Sequence, residues 1–196
     1  MVAAAATQIL NFWFDAPATP DSEYGQQRRI WFKKDPVFDR QIREQFAEIY
    51  EQARLGNHDH WLATPKEALA LTVLLDQFSR NMFRDTPQSF EADDQSLRVA
   101  QSAIARHHDQ ALLPVERMFF YLPFEHSENL DHQNQAVAYF EALVQVAPEL
   151  HSSLDYAYRH QSVIAKFGRF PHRNLILART STPAELDFLA QPGSGF

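Results

Sequence analysis

The segment KFGRFPHRNLILART, near the end of the chain, concentrates side chains that could do chemistry. Arg169, His172, Arg173 and Asn174 lie within six residues, among apolar residues that otherwise predict a protein core. Pro171 predicts the start of a short helix, where unpaired backbone N–H groups can bind an anion. Guanidinium groups beside it suit a carboxylate or a phosphate. The segment therefore predicts an anion-binding site; the alternative is a basic surface turn that is paired with the acidic body of the protein.

A second polar group lies at the end of a predicted buried helix, TPKEALALTVLLDQFSRN. Asp76 precedes Arg80 by one helical turn, which places the two side chains next to each other. Buried charges are tolerated when they are paired, because desolvation otherwise costs several kcal/mol. The pair is therefore either structural, or it holds Arg80 in place while Arg80 and Asn81 face a pocket.

The segment YLPFEHSEN contains a histidine flanked by acidic residues. His126 lies between Glu125 and Glu128, and an imidazole is suited to proton transfer near neutral pH. We predict that His126 and Glu128 are acid/base residues. The alternative is a turn in which Pro123 ends one helix and a serine or asparagine caps the next.

His160 shares one predicted helix face with Tyr156, Ile164 and Phe167, so its imidazole is expected to point inwards. It is either a ligand-binding residue or a core histidine whose hydrogen bonds are satisfied.

Metal, cofactor and nucleophile motifs are not indicated. The chain has no cysteine, which excludes disulfides, thiol nucleophiles and thiolate metal sites. No HExxH or G-x-S-x-G motif occurs, and the remaining paired histidines lie in polar segments where we expect solvation. We predict no metal and no cofactor.

Charge and hydropathy restrict the partners. A net charge of −7 argues against a nucleic-acid partner, which normally requires a basic excess. The apolar start MVAAAATQILNFWFDAP is interrupted by polar residues before it reaches bilayer length, so it predicts an amphipathic helix. We expect a cytoplasmic protein with no membrane partner.

Helix signals recur along the whole chain. Asp35 followed by Pro36, and Thr64 followed by a proline and a glutamate, predict helix starts, whereas Gly56 and Gly168 predict helix ends. No segment alternates polar and apolar residues as a strand would. The prediction is a single all-α domain over residues 1–196, with about eight to ten helices and helix-pair packing as in solenoid repeat proteins.

Three motifs together resemble a known family: LLDQFSRNMFRDT, FYLPFEHSE and FGRFPHRNLILARTSTPAELDFL. Over nearly its whole length the chain is similar to the bacterial family catalogued as domain of unknown function 924. The resemblance implies a single helical domain like those of the tetratricopeptide-repeat superfamily, without their repeat sequence, and implies no established activity. The family motifs fall on Asp76, Gln77, Arg80, Asn81 and Arg84, on residues 125–128 and on residues 169–174. Ser79 and Ala178 replace the proline and the glycine that are common in the family.

Three functions agree with these patterns. The first is a pocket for an anionic small molecule, with the acid/base residues above and with ligand-binding residues Asp76, Arg80, Asn81, His160, Arg169, His172, Arg173 and Asn174. The second is a tetratricopeptide-like scaffold whose exposed Trp13, Trp31 and Trp61 bind a protein or peptide. The third is a polar network that only specifies helix packing. The sequence names neither a ligand nor a reaction.

Overall fold

The part of the chain that the structure describes, residues 2–17 and 21–195, contains helices, turns and loops and no strand. The structure is a computed structural model. The α-helices, numbered in chain order, are α1 (Ala4–Phe14), α2 (Pro36–Arg54), α3 (Pro65–Thr72), α4 (Ser79–Met82), α5 (Asp93–Ala105), α6 (Pro114–Glu125), α7 (Leu130–Val146), α8 (His151–Phe167) and α9 (Pro183–Leu189). The all-α prediction is confirmed.

Side-chain caps fix the helix starts where the sequence predicts them. The Asp35 carboxylate accepts hydrogen bonds from the first backbone N–H groups of α2, at 2.9 and 3.2 Å. Thr64 caps α3, Asn129 caps α7, and Thr182 caps α9. These caps satisfy amide groups that have no partner within the helix.

The C-terminal end of α8 also matches its prediction. Gly168 follows the last helical residue with φ of 68°, a left-handed conformation that glycine adopts without steric cost.

An aromatic core fills the space between α1, α2, α3 and α6. Trp13, Trp31 and Trp61 are all buried in it, so the prediction that they form an exposed groove is wrong. The indole N–H of Trp31 donates to the Trp13 carbonyl at 2.7 Å, and the two rings stack with centroids 6.0 Å apart. Burial of such large apolar rings stabilises the core. The three indole rings are therefore not available at the surface to bind a partner.

Pro123 lies inside α6, contrary to the prediction that it ends the helix. Proline removes one backbone N–H and normally costs about 3 kcal/mol in a helix interior. Every residue of α6 from Met118 to Glu125 is buried, so tertiary packing holds the helix through the proline. The continuation carries Glu125 and His126 to one end of α6.

Helix α5 packs against α6, α6 against α7, and α7 against α8, as helix-pair packing requires. After α8 the structure differs from its prediction: PHRNLILA forms one 3₁₀ turn, Pro171–Arg173, followed by further turns. Within the described residues, no helix combines the length and the apolar character needed to cross a lipid bilayer.

Candidate functional site

A cleft of about 830 Å³ brings together residues that are far apart in the sequence. It is bordered by the loop of residues 27–33, the region of α4, one end of α6, part of α8 and the turn after α8. The residues predicted as ligand-binding or catalytic that line it are Arg80, Asn81, His126, His160, His172 and Arg173. These come from each of the polar segments singled out in the sequence.

A π-helical turn, Val73–Phe78, joins α3 to α4 in one continuous helix. Such turns are rare and occur frequently at functional sites, because they re-aim side chains within a helix. Here the turn contains Asp76 and Gln77, both buried, and it leads directly to Arg80. The Ser79 hydroxyl donates to the Leu75 carbonyl at 2.7 Å.

Asp76 holds the imidazole of His126. The distance from His126 Nδ1 to Asp76 Oδ1 is 2.7 Å, and the Gln77 amide donates to the other carboxylate oxygen at 2.5 Å. Arg80 Nη1 lies 3.5 Å from Asp76 Oδ1, which confirms the predicted pairing one turn apart. Burial alone would raise the pKa of Asp76, but His126 and Arg80 outweigh it and lower the pKa to about 2. Asp76 is therefore ionised at neutral pH.

Asp93, at the start of α5, bridges two guanidinium groups. One of its oxygens accepts from Arg80 at 2.9 Å, and the other accepts from Arg173 at 3.1 Å. Arg173 also donates to the His126 carbonyl at 2.9 Å, and its guanidinium lies 4.5 Å from the ring centroid of Phe90. Burial lowers the pKa of Arg173 to about 10, so it keeps its charge at neutral pH.

A second carboxylate–histidine pair borders the same cleft. His160 Nδ1 lies 2.9 Å from Glu125 Oε1 and 2.9 Å from the Tyr156 carbonyl. Within the described residues, the other Glu125 oxygen is buried and accepts no hydrogen bond. His172 lines the cleft as well, and burial and the neighbouring Arg173 lower its pKa to about 3. The imidazole of His172 is therefore neutral at neutral pH.

Four residues that we predicted as part of the site do not line the cleft: Asp76, Glu128, Arg169 and Asn174. Asp76 lies behind His126 and hydrogen-bonds to its imidazole. The Glu128 carboxylate is bound by Arg179, at 2.7 and 3.0 Å, and also accepts the Phe170 N–H at 2.8 Å.

Arg169 binds Glu185 through two hydrogen bonds, at 2.6 and 2.8 Å. Asn174 is buried, and its amide donates to Ser181 at 3.0 Å and accepts from Arg179 at 3.0 Å. These contacts hold the turn after α8 against α9, so the geometry gives both residues a packing function.

The predicted anion site on the backbone after Pro171 is not formed as expected. The N–H groups of Arg173 and Asn174 donate to the carbonyls of Phe170 and Pro171, at 3.1 and 3.0 Å. A 3₁₀ turn of three residues uses these donors internally, whereas the predicted α-helix would have left them free.

The loop of residues 27–33 was missed as part of the site, although its basic run QQRRIWFKK is visible in the sequence. Arg28 is fixed by Glu23 at 3.0 Å and by main-chain carbonyls of α1. Arg29 and Lys33 are exposed and line the cleft, and neither forms an ion pair within the described ranges. A basic run marks a candidate anion contact, but only the fold shows which cleft it borders.

Fold and site define an all-helical protein with a basic cleft that contains histidines. Within the residues described, no three acidic or histidine side chains are grouped so as to hold a metal ion. The chemistry that this arrangement can provide is charge pairing with an anion and proton transfer at an imidazole.

Comparison with known proteins gives a family and a solved structure with a similar fold. The chain belongs to the family described as bacterial protein of unknown function (DUF924), whose model matches residues 9–193. It is also similar to the solved structure of a protein of unknown function from Agrobacterium tumefaciens. The two chains are 39% identical, with a TM-score of 0.82, and the match covers 95% of this chain and 97% of the other. No curated protein matches the chain.

Proposed function

We propose that the cleft binds a small organic anion. The observation that carries this proposal is the convergence of Arg80, His126, His160 and Arg173 on one cleft, although they come from different segments of the sequence. Its volume of about 830 Å³ falls in the range of roughly 300–1,000 Å³ that is usual for small-molecule sites.

The lining of the cleft has more basic than acidic side chains, whereas the chain as a whole is acidic. The net charge of the chain is −7. The basic residues that line the cleft are Arg28, Arg29, Lys33, Arg80, Arg84 and Arg173, whereas the acidic ones are Asp85 and Glu125. Carboxylates behind the lining pair with Arg28, Arg80, Arg84 and Arg173. The uncompensated positive charge therefore comes from Arg29 and Lys33, and it would attract an anion to the cleft.

These basic residues differ in whether a carboxylate of the protein already binds them. Arg84 binds Asp39 through two hydrogen bonds at 2.8 Å, and Arg80 and Arg173 share Asp93. Arg29 and Lys33 remain available at the rim. We therefore assign the first contact with the anion to these two side chains.

The apolar lining accounts for the organic part of the ligand. Trp31, Phe32, Met118, Leu122 and Ile176 border the same cleft as the basic groups. A ligand that combines a carboxylate or phosphate with an apolar group would bury the apolar group here, at about 25 cal/mol per Å² of apolar surface. This combination favours a small organic acid over inorganic phosphate alone.

Binding is tested by thermal unfolding and isothermal titration calorimetry with phosphate, pyruvate and phenylpyruvate. We expect at least one organic acid to raise the melting temperature of the wild type. Arg29→Ala and Lys33→Ala should each weaken its binding about fivefold, since an exposed charge pair contributes up to about 1 kcal/mol. Higher salt should weaken binding further.

Arg40→Ala is the matched control, because Arg40 is exposed on α2 and does not line the cleft. It removes the same charge and should leave affinity unchanged. The proposal fails if no anion binds, or if Arg40→Ala weakens binding as much as the two rim variants.

A further inference from the structure

Two carboxylate–histidine pairs lie side by side at the end of α6. Glu125 and His126 are consecutive residues, but they pair with different partners: Glu125 with His160 at 2.9 Å, and His126 with Asp76 at 2.7 Å. The imidazole rings of His126 and His160 have centroids 6.4 Å apart, and both residues line the cleft. Two imidazoles, each held by its own carboxylate, therefore face one cleft.

The Asp76 contact fixes the hydrogen positions on His126. Because Asp76 is ionised, it can only accept a hydrogen bond, so His126 Nδ1 carries the hydrogen. Within the described residues, no hydrogen bond is made to the other ring nitrogen, Nε2. The side chain of His126 is 16% exposed. Its second nitrogen is thus left to act on a molecule in the cleft.

Burial, helped by the charge of Arg80, favours the neutral form of His126. The groups that face it are Asp76 and Arg80 from the α3–α4 helix, Asp93 from α5, and Arg173 from the turn after α8. Burial and Arg80 lower the pKa of His126, against the opposing effect of Asp76. A neutral imidazole with a free Nε2 is the form that accepts a proton.

We propose that the cleft is a proton-transfer site for carboxylates, in which His126 takes a proton from a carbon next to a carbonyl group and Asp76 positions the imidazole. This inference rests on the proposed anion binding. The carboxylate that acts with His126 is then Asp76 and not the predicted Glu128, because Arg179 binds the Glu128 carboxylate.

The step balances without a further reactant. The C–H bond breaks and an Nε2–H bond forms. The electron pair of the C–H bond becomes the second bond between the two carbons, and the π pair of the carbonyl group moves onto its oxygen. The guanidinium of Arg80, which lines the cleft, supplies a positive charge that stabilises this oxygen. Return of the proton, or of deuterium from heavy water, to the carbon restores neutral His126.

The first test reads the protonation state of His126 in the full chain by long-range ¹H–¹⁵N NMR. We expect hydrogen on Nδ1 and none on Nε2 at pH 7.5, and a mixture of both forms in Asp76→Asn. An imidazole protonated on Nε2 in the wild type at this pH, alone or as a cation, would overturn the inference.

The second test follows deuterium exchange at the carbon next to the carbonyl of pyruvate and phenylpyruvate in heavy water. We expect His126→Gln to slow exchange about 100-fold, as is typical for loss of a general base. Affinity for the same acid should stay within about threefold. Asp76→Asn should lower the maximal rate, whereas Arg29→Ala should raise the concentration needed for half-maximal rate.

His151→Ala is the control, because His151 is exposed on α8 and does not line the cleft. Wild type that binds an acid but exchanges it no faster than His126→Gln would refute proton transfer and leave anion binding intact. Binding of phosphate but of neither acid would also refute it. If no anion binds, the proposed function fails, and the NMR result still decides the state of His126.

Discussion

Replacement of Asp93 by asparagine tests how the cleft is held together. Asp93 is the carboxylate that Arg80 and Arg173 share, at 2.9 and 3.1 Å. The side chain of Arg173 is 8% exposed and that of Asp93 is 18% exposed, so water compensates little for a lost charge. The substitution keeps the size of the side chain but leaves two neighbouring cations with less compensation.

The expected loss of unfolding free energy is about 3 kcal/mol, the lower end of the range for removal of one partner from a buried ion pair. In a chain of 196 residues this corresponds to a fall in melting temperature of about 6–12 °C. Phosphate should restore more stability to Asp93→Asn than to wild type, because an anion can replace the carboxylate between the guanidinium groups.

Urea denaturation and calorimetry measure this difference against Asp94→Asn. Asp94 lies in the same first turn of α5 but is exposed. The Asp94→Asn substitution therefore removes the same charge from the same helix end. The effect on the helix dipole should cost about 0.3–1 kcal/mol in both variants. Equal loss of stability in the two variants would refute the bridging function of Asp93.

Two further predictions concern the groups around the cleft. The pKa of Asp76 is lowered to about 2 from an ordinary 3.8, so its ionised form contributes about 2 kcal/mol of stability above about pH 4. This contribution is lost as the pH falls towards 2. Urea denaturation between pH 5 and 2.5 should therefore show a smaller loss of unfolding free energy in Asp76→Asn than in wild type. Equal losses in the two proteins would contradict the pairing of Asp76 with His126 and Arg80. Arg169→Ala should lower the melting temperature, because it removes the guanidinium partner of the buried Glu185 carboxylate, and it should leave anion affinity unchanged. The reverse result in calorimetry and titration would place Arg169 in the binding site.

The helix starts could be predicted from the sequence because their causes are local. Asp35 and Thr64 satisfy amide groups two or three residues further along the chain, so residue type and spacing suffice. The pairing of Asp76 with Arg80 is predictable for the same reason, since a helical turn sets their separation.

Other features depend on packing energies between residues that are far apart in the chain, and a short sequence pattern does not contain this information. Pro123 is accommodated within α6, and Trp31 lies in the core, because the packing around them outweighs local preference. The motif residues Arg169 and Asn174 carry hydrogen-bonding groups like those of Arg173, yet the fold turns them towards α9. Residue type alone could not separate them from the residues of the cleft.

By itself, the sequence determined the helical class, most helix ends and the set of polar segments, because these follow from interactions within a few residues. Only the tertiary structure decided the partners: Asp76 with His126, and Asp93 with Arg173, which are 50 and 80 residues apart. Such pairs form where packed helices bring charges together in a medium that cannot solvate them. The choice of partner is therefore a property of the packing and not of the neighbouring sequence.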